Sequence, residues 1–307
     1  MKQYAFIGIL LSGLSLLISH TPLFATDTFL ASDMGSSAKM IAIGNIDGFS
    51  QDAAAIFENP AALHTIHSHS LSFFKTSVFN DATYINMAAA RQTRIGTIGL
   101  GHMQVGVNDL SETDIDQSGR FFRNALFNYT NTVTKLGYQL SPLPALHIGL
   151  TGSYFTSQLA DLASQGWNLD LGTLIELGKG RLSLLGKNVL LNQKAHFSNN
   201  RSARYPPQLI LSGSYSFTHC HFYAQSKAVS KTQPIRKALG FSLAPSWLPL
   251  LQIHIGHKDF FAQNKIKTAN TIGLSLALDS LHFHYAYEKN EHPEFDALHF
   301  FSLSLNY

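Results

Sequence analysis

GSSAKMIAIGNIDGFSQDAAAIFENPAAL, residues 35–63, is where the sequence changes character. The stretch is rich in Gly and Ala and closes on Asn59-Pro60-Ala61. Within it, Ser50 or Asp52 can cap a short helix over 53–57, because their side-chain oxygens can accept from the free N–H groups of a first turn. Asn59 precedes Pro60, which disfavours helical dihedrals at Asn59 and ends the helix there. Pro60 can itself open a second turn through Ala61, Ala62 and Leu63. The product is a kinked element of small residues. It suits packing inside something narrow, and it equally suits an ordinary helix–turn before a first strand.

Upstream, Met1 to Ala25 has the organisation of a secretory signal. Lys2 supplies the positive start, 5–18 the apolar core, and Leu23-Phe24-Ala25 a small residue before the cut. The apolar run is about 14 residues, short of the roughly 20 that a membrane-spanning helix needs. No Cys lies near the cut to take a lipid anchor. The expected division is therefore a signal peptide over 1–25, a compact N-terminal unit over 26–67, and a strand domain over 68–307.

Charged residues make up 13% of the 307, about half the roughly 25% of ordinary globular chains, while the apolar share is 45%. That balance suits a wall whose alternate residues face lipid. The net charge is +3 with no Lys/Arg run, so nucleic acid is not an expected partner. The single cysteine, Cys220, excludes an internal disulfide and shares a strand face with Phe222, which reads as packing. If the mature chain spans a membrane it must close into a barrel, since only helices and barrels satisfy their backbone in lipid.

Counted by period two, candidate strands lie at 68–79, 83–91, 95–107, 129–140, 146–158, 167–177, 181–190, 208–217, 219–229, 235–243, 248–258, 269–278, 281–288 and 298–307. Leu209, Leu211, Gly213, Tyr215 and Phe217 share one face, with Gln208, Ser212, Ser214 and Ser216 on the other. A soluble sandwich alternates in the same way, so the connections must decide. Those at 92–94, 141–145, 178–180, 218, 244–247 and 279–280 are short. Those at 108–128, 159–166, 191–207, 230–234, 259–268 and 289–297 are longer and more polar, with 80–82 the exception. Short turns at one end and long loops at the other mark an outer-membrane barrel. Aromatic pairs near strand ends, such as Phe73/Phe74, Tyr154/Phe155 and Phe300/Phe301, suit bilayer interfaces.

The 35–63 stretch resembles the N-terminal region of FadL-like outer-membrane proteins, and more closely their PorV/PorQ branch. The matching residues are Asp52-Ala53-Ala54-Ala55 and Asn59-Pro60-Ala61-Ala62-Leu63, with Ala62 where that branch has Gly. Residues 182–188 (LSLLGKN), 205–217 (YPPQLILSGSYSF) and 284–287 (HYAY) resemble later segments of the branch. The resemblance implies an all-β transmembrane antiparallel barrel of about 14 strands with a small N-terminal hatch or plug. It implies hatch and gating roles for Gly44, Gly48, Asp52, Asn59, Pro60 and Ala61, with Gly35 as a further hinge. It implies an outer-membrane, non-enzymatic protein that transports hydrophobic small molecules, or a PorV-like scaffold that binds exported proteins or a secretion machine. Expected partners are outer-membrane lipid and the barrel-assembly machinery, which would read the last strand ending in Tyr307.

No catalytic pattern supports an enzyme, and no cofactor or metal is expected. Of the 15 histidines, His219/His221 and His282/His284 could each present two ligands on one strand face. Zinc usually takes three or four protein ligands, so neutral polar positions inside the barrel are the expected role. Asp109, Glu112, Asp114 and Asp116 read as a solvated outer loop.

Overall fold

In the computed structural model the described residues are 34–78, 82–115, 119–229, 233–262, 265–289 and 297–307. The leader and residues 26–33 lie outside them. Among the described residues no helix is long and apolar enough to cross a membrane.

The strands, in order, are β1 (His69–Val78), β2 (Ala82–Thr93), β3 (Gly96–Ile115), β4 (Phe121–Leu143), β5 (Leu146–Leu159), β6 (Leu162–Leu177), β7 (Gly180–Lys187), β8 (Lys194–Phe197), β9 (Ser202–Arg204), β10 (Gln208–Ser216), β11 (Cys220–Ala228), β12 (Arg236–Leu243), β13 (Leu251–Ala262), β14 (Lys265–Leu278), β15 (Leu281–Glu288) and β16 (Leu298–Asn306). All of them except β8 and β9 form a closed antiparallel barrel of 14 strands. β8 and β9 form a side hairpin that pairs onto β6 through Ser164 and Gln165. The barrel closes where β1 pairs β16, and His69 and Tyr307 exchange backbone hydrogen bonds at the seam. Closure leaves no unpaired sheet edge in the lipid.

The alternation read from the sequence maps onto two faces. Leu71, Leu100, Leu136, Leu150, Leu171 and Phe301 are exposed on the outside. Ser70, Asn131, Thr151, Asn168, Ser212 and Ser302 are buried on the inside. An exposed apolar band around the whole wall has no place in water and fits hydrocarbon. The interior is polar, and its buried charges are paired on β4 and β6. Lys135 Nζ lies 2.6 Å from Asp170 Oδ2, and Asp170 Oδ1 accepts from Asn188 N–H at 3.0 Å.

Two expectations need correction. First, 108–128, 159–166 and 259–268 are not mainly loops. β3 and β4 run through most of the first, and β5 and β6 meet at a two-residue turn, 160–161. There the strands leave the bilayer, both faces meet water, and the apolar alternation that marks a strand disappears. The two ends of the barrel therefore differ in hairpin height as well as in loop length. Second, adjacent aromatics do not both face the interface, because neighbouring strand residues point to opposite faces. Phe74, Phe155 and Phe300 turn inward and are buried. Phe74 packs edge-on against Tyr84 and stacks with Phe300.

Candidate functional site

Residues 34–66 pack against inward-facing side chains of the barrel wall. The first element is a short helix, α1 (Ala38–Ala42), with no counterpart in the sequence reading. Ser37 caps it by accepting from Met40 N–H at 3.3 Å. The wall holds both ends: Ala38 N–H donates to Ser302 Oγ at 3.1 Å, and Thr271 Oγ1 donates to the Ala42 carbonyl at 3.0 Å. The chain then turns at Gly44, where φ is +87°. Gly240 and Gly256 sit opposite each other on β12 and β13 at this point. A Cβ on Gly256 would lie 2.1 Å from Gly44 N, so side-chain-free wall lets the segment's backbone come close.

Two turns of 3-10 helix follow, over Ala53–Phe57 and Pro60–Thr65. Asp52, rather than Ser50, caps the first by accepting from Ala54 N–H at 2.9 Å. Burial raises the pKa of its carboxyl. Asp52→Ala removes this cap and is expected to weaken the segment's docking by about 1 kcal/mol. Limited proteolysis at the segment checks this, with cleavage expected to rise several-fold.

Asn59 ties the second turn to the wall. Its Oδ1 accepts from Ala61 N–H at 2.9 Å. Its Nδ2 donates to Ser183 Oγ at 2.8 Å and to the carbonyls of Thr173 and Leu184 at 3.2 and 3.3 Å. Pro60 and Ala61 are buried against β5 and β6, where Gly149 and Gly172 face each other across the ladder. A Cβ on Gly149 would lie 2.3 Å from both Ala61 N and Pro60 C.

Between the two turns sits Glu58, a residue the sequence reading passed over. It is 1% exposed. Ser36 Oγ donates to it at 2.6 Å, and Ser50 Oγ donates to the same oxygen. The N–H groups of Gly48 and Ser50 donate to its other oxygen at 3.3 Å. Glu58 thus gathers the segment onto itself, with Gly48 at φ +100° making the approach. Burial pushes its pKa up to about 7 against those four donors, and the nearby Asp47 and Asp52 carboxylates add to the rise. The available signal was one acid in an otherwise apolar run, since acids are almost never fully buried without partners.

A cavity of about 350 Å³ lies on the tall-hairpin side of the segment. Met34, Met40 and Phe57 of the segment line it, with Met103, Phe260 and Phe300 from the wall. Lys258 and Glu288, paired at 2.7 Å, also line it. Asp47, Lys227, Arg236, Lys237 and Asp259 line it as well, so the segment contributes part of the wall of a chamber that mixes apolar and charged side chains.

The histidines behave differently from one another. His254 is held between Ser242 and Ser275, both at 2.7 Å, and His284 lies 2.6 Å from Ser275. His221 lies 2.9 Å from Ser216. His64 instead turns toward β5 and β6. Asp109, Glu112 and Asp114 lie on the tall part of β3, and Asp116 is outside the described residues.

No family model matches the sequence, and no curated protein matches it. Solved structures do match in fold. The Pseudomonas putida toluene transporter TodX aligns at 13% identity with a TM-score of 0.64, covering 89% of this chain and 99% of TodX. The Ralstonia pickettii toluene transporter TbuX gives 12% and 0.59, covering 89% and 98%. A Pseudomonas aeruginosa FadL homologue gives 9% and 0.56, covering 89% and 98%. At these identities the likeness is one of fold, and that fold is the FadL-like outer-membrane barrel.

Proposed function

We propose that this chain is an outer-membrane transporter of hydrophobic small molecules and that residues 34–66 are its movable plug. The observation that carries this is the chamber of about 350 Å³, lined by Met and Phe side chains with charged residues beside them and partly by the segment itself. A molecule held there touches Met34, Met40 and Phe57, so occupancy and segment position are coupled. The toluene transporters of the same fold support a greasy cargo. In this reading the short-turn end faces the periplasm, the tall hairpins face outward, and export uses the Met1–Ala25 leader. Gly44 and Gly48 are hinges, and Asp52, Asn59, Pro60 and Ala61 form the latch.

The test is uptake of radiolabelled toluene into proteoliposomes. Asn59→Ala removes the three wall contacts of one amide, worth about 1–3 kcal/mol of docking. Uptake above that of protein-free liposomes is expected with the wild type and is expected to rise several-fold in the variant, whose segment undocks more readily. Heat-modifiable gel mobility should show both barrels folded. Wild-type uptake no faster than that of protein-free liposomes would reject transport.

The PorV-like scaffold is the second reading. It draws on the β3–β4 hairpin, whose strands of 20 and 23 residues far exceed the roughly 9–11 that cross a bilayer. Phe121, Phe122 and Leu126 are exposed along it. A scaffold should retain exported proteins on purification and lose them when this hairpin is shortened.

A further inference from the structure

We propose that His64, His147 and Glu176 form a binding site for a late first-row divalent metal ion such as Zn²⁺. Among the described residues this is the one group of three or more His, Cys, Asp or Glu whose ligand atoms come within 4.8 Å of one another. Its members come from three places: the Pro60–Thr65 turn, the start of β5 and the end of β6. An ion there ties residues 34–66 to the wall at the short-turn end.

The hydrogen bonds already orient both imidazoles. His64 Nδ1 lies 3.0 Å from the Ala61 carbonyl, which can only accept, so Nδ1 carries the proton. The lone pair of a neutral ring then sits on Nε2, and Nε2 faces a Glu176 carboxylate oxygen at 3.3 Å. Two acceptors facing each other call for a cation between them, which a proton or a metal ion can supply. His147 Nδ1 lies 2.7 Å from Ser141 Oγ, and its Nε2 is buried with no hydrogen-bond partner. His147 is only 5% exposed. Ser141 Oγ can accept from Nδ1–H, and in that tautomer Nε2 offers a second lone pair. Each ligating ring thus has a backbone carbonyl or a hydroxyl able to accept behind it, the usual support for a metal-bound histidine.

Two nitrogens and a carboxylate oxygen suit Zn²⁺, Ni²⁺ or Cu²⁺ and leave a position for water. Donors around a tetrahedral ion stand about 3.4 Å apart, which the His64–Glu176 pair matches at 3.3 Å. The rings themselves stack at 3.6 Å with 13° between their planes, so both nitrogens lie in near-parallel planes. Closing on one ion therefore turns one ring out of the stack. Glu176 is half-exposed and leaves the site open to entry.

The experiment uses the full mature chain in detergent, without a histidine tag, stripped with EDTA and titrated with ZnCl₂ by calorimetry. One saturable Zn²⁺ per chain is expected. His64→Gln and His147→Gln should each weaken binding at least tenfold, and Glu176→Gln several-fold. His282→Gln, on the far wall, should leave it unchanged. Zn²⁺ should raise the melting temperature of the wild type but not of His64→Gln. That residue lies on the turn rather than in the barrel wall, so this variant carries the test even if His147→Gln fails to fold. Co²⁺ in place of Zn²⁺ should give a visible absorption band that His64→Gln abolishes. No saturable binding, or binding indifferent to His64→Gln, would overturn the proposal.

Discussion

Gly149→Val is expected to push the Pro60–Thr65 turn off the wall and turn a closed barrel into a conducting one. The new Cβ would stand 2.3 Å from Ala61 N and Pro60 C and 2.8 Å from Pro60 Cβ. The first two are backbone atoms, which cannot rotate aside as a long side chain would. Overpacking a tight contact costs about 1–3 kcal/mol, and a backbone clash belongs at the upper end. About 3 kcal/mol shifts the balance between docked and undocked segment roughly a hundredfold. Fourteen strands lie between the eight whose interior side chains fill and the 16–18 that leave an aqueous channel, so undocking opens a path. Gly152→Val is the control. It sits on the same strand facing outward, where a Cβ meets nothing closer than 3.7 Å. Planar-bilayer recordings should show sustained ion conductance for Gly149→Val and wild-type behaviour for Gly152→Val. Equal conductance in the two would remove the plug reading.

The contrast between those two glycines also shows what the sequence could reveal. Period-two alternation made the wall legible, because lipid and lumen ask opposite things of neighbouring residues. Asp52 and Asn59-Pro60 marked the two turns, because caps and pre-proline restriction are local. The wall glycines were visible only as pauses in the alternation. A glycine within a strand can signal close backbone approach, but Gly149 gains that meaning from Pro60, far away in the chain. α1 escaped notice because five residues carry no readable helical period. The tall part of β4, residues 121–128, read as loop because its partner is hydrogen-bonded backbone rather than an oily face. His64, His147 and Glu176 were three unrelated polar residues until the barrel closed around the turn. Glu58 was legible in principle, as a lone acid among Ala, Ile and Phe, but its four donors come from residues 36, 48 and 50.

Glu58 should make docking of the segment depend on pH. Its carboxyl has a pKa of about 7 when docked, against an ordinary 4.5 when the segment is released into water. The docked state therefore holds the proton more tightly. Between pH 4.5 and 7 the released state has already lost its proton, so each rise in pH favours release. Docking is strongest below about pH 4.5, weakens through this window by about 3 kcal/mol, and is level above pH 7. The raised pKa of Asp52 acts in the same direction. Charged groups around Glu58 include Asp47 and Asp52 of the segment, with Lys187 of β7 bound to Asp47 Oδ1 at 3.4 Å and to the Phe57 carbonyl at 3.2 Å. Open probability in planar bilayers should rise on going from pH 5 to pH 8. Glu58→Gln cannot ionise and should flatten most of that dependence, leaving the smaller part due to Asp52. Glu58→Ala leaves two hydroxyls and two N–H groups without their acceptor, and a buried donor stripped of its partner costs about 1–3 kcal/mol. That variant should conduct at every pH. A wild-type segment that holds more tightly at pH 8 than at pH 5 would show that the four donors outweigh burial and that Glu58 docks as a charged carboxylate.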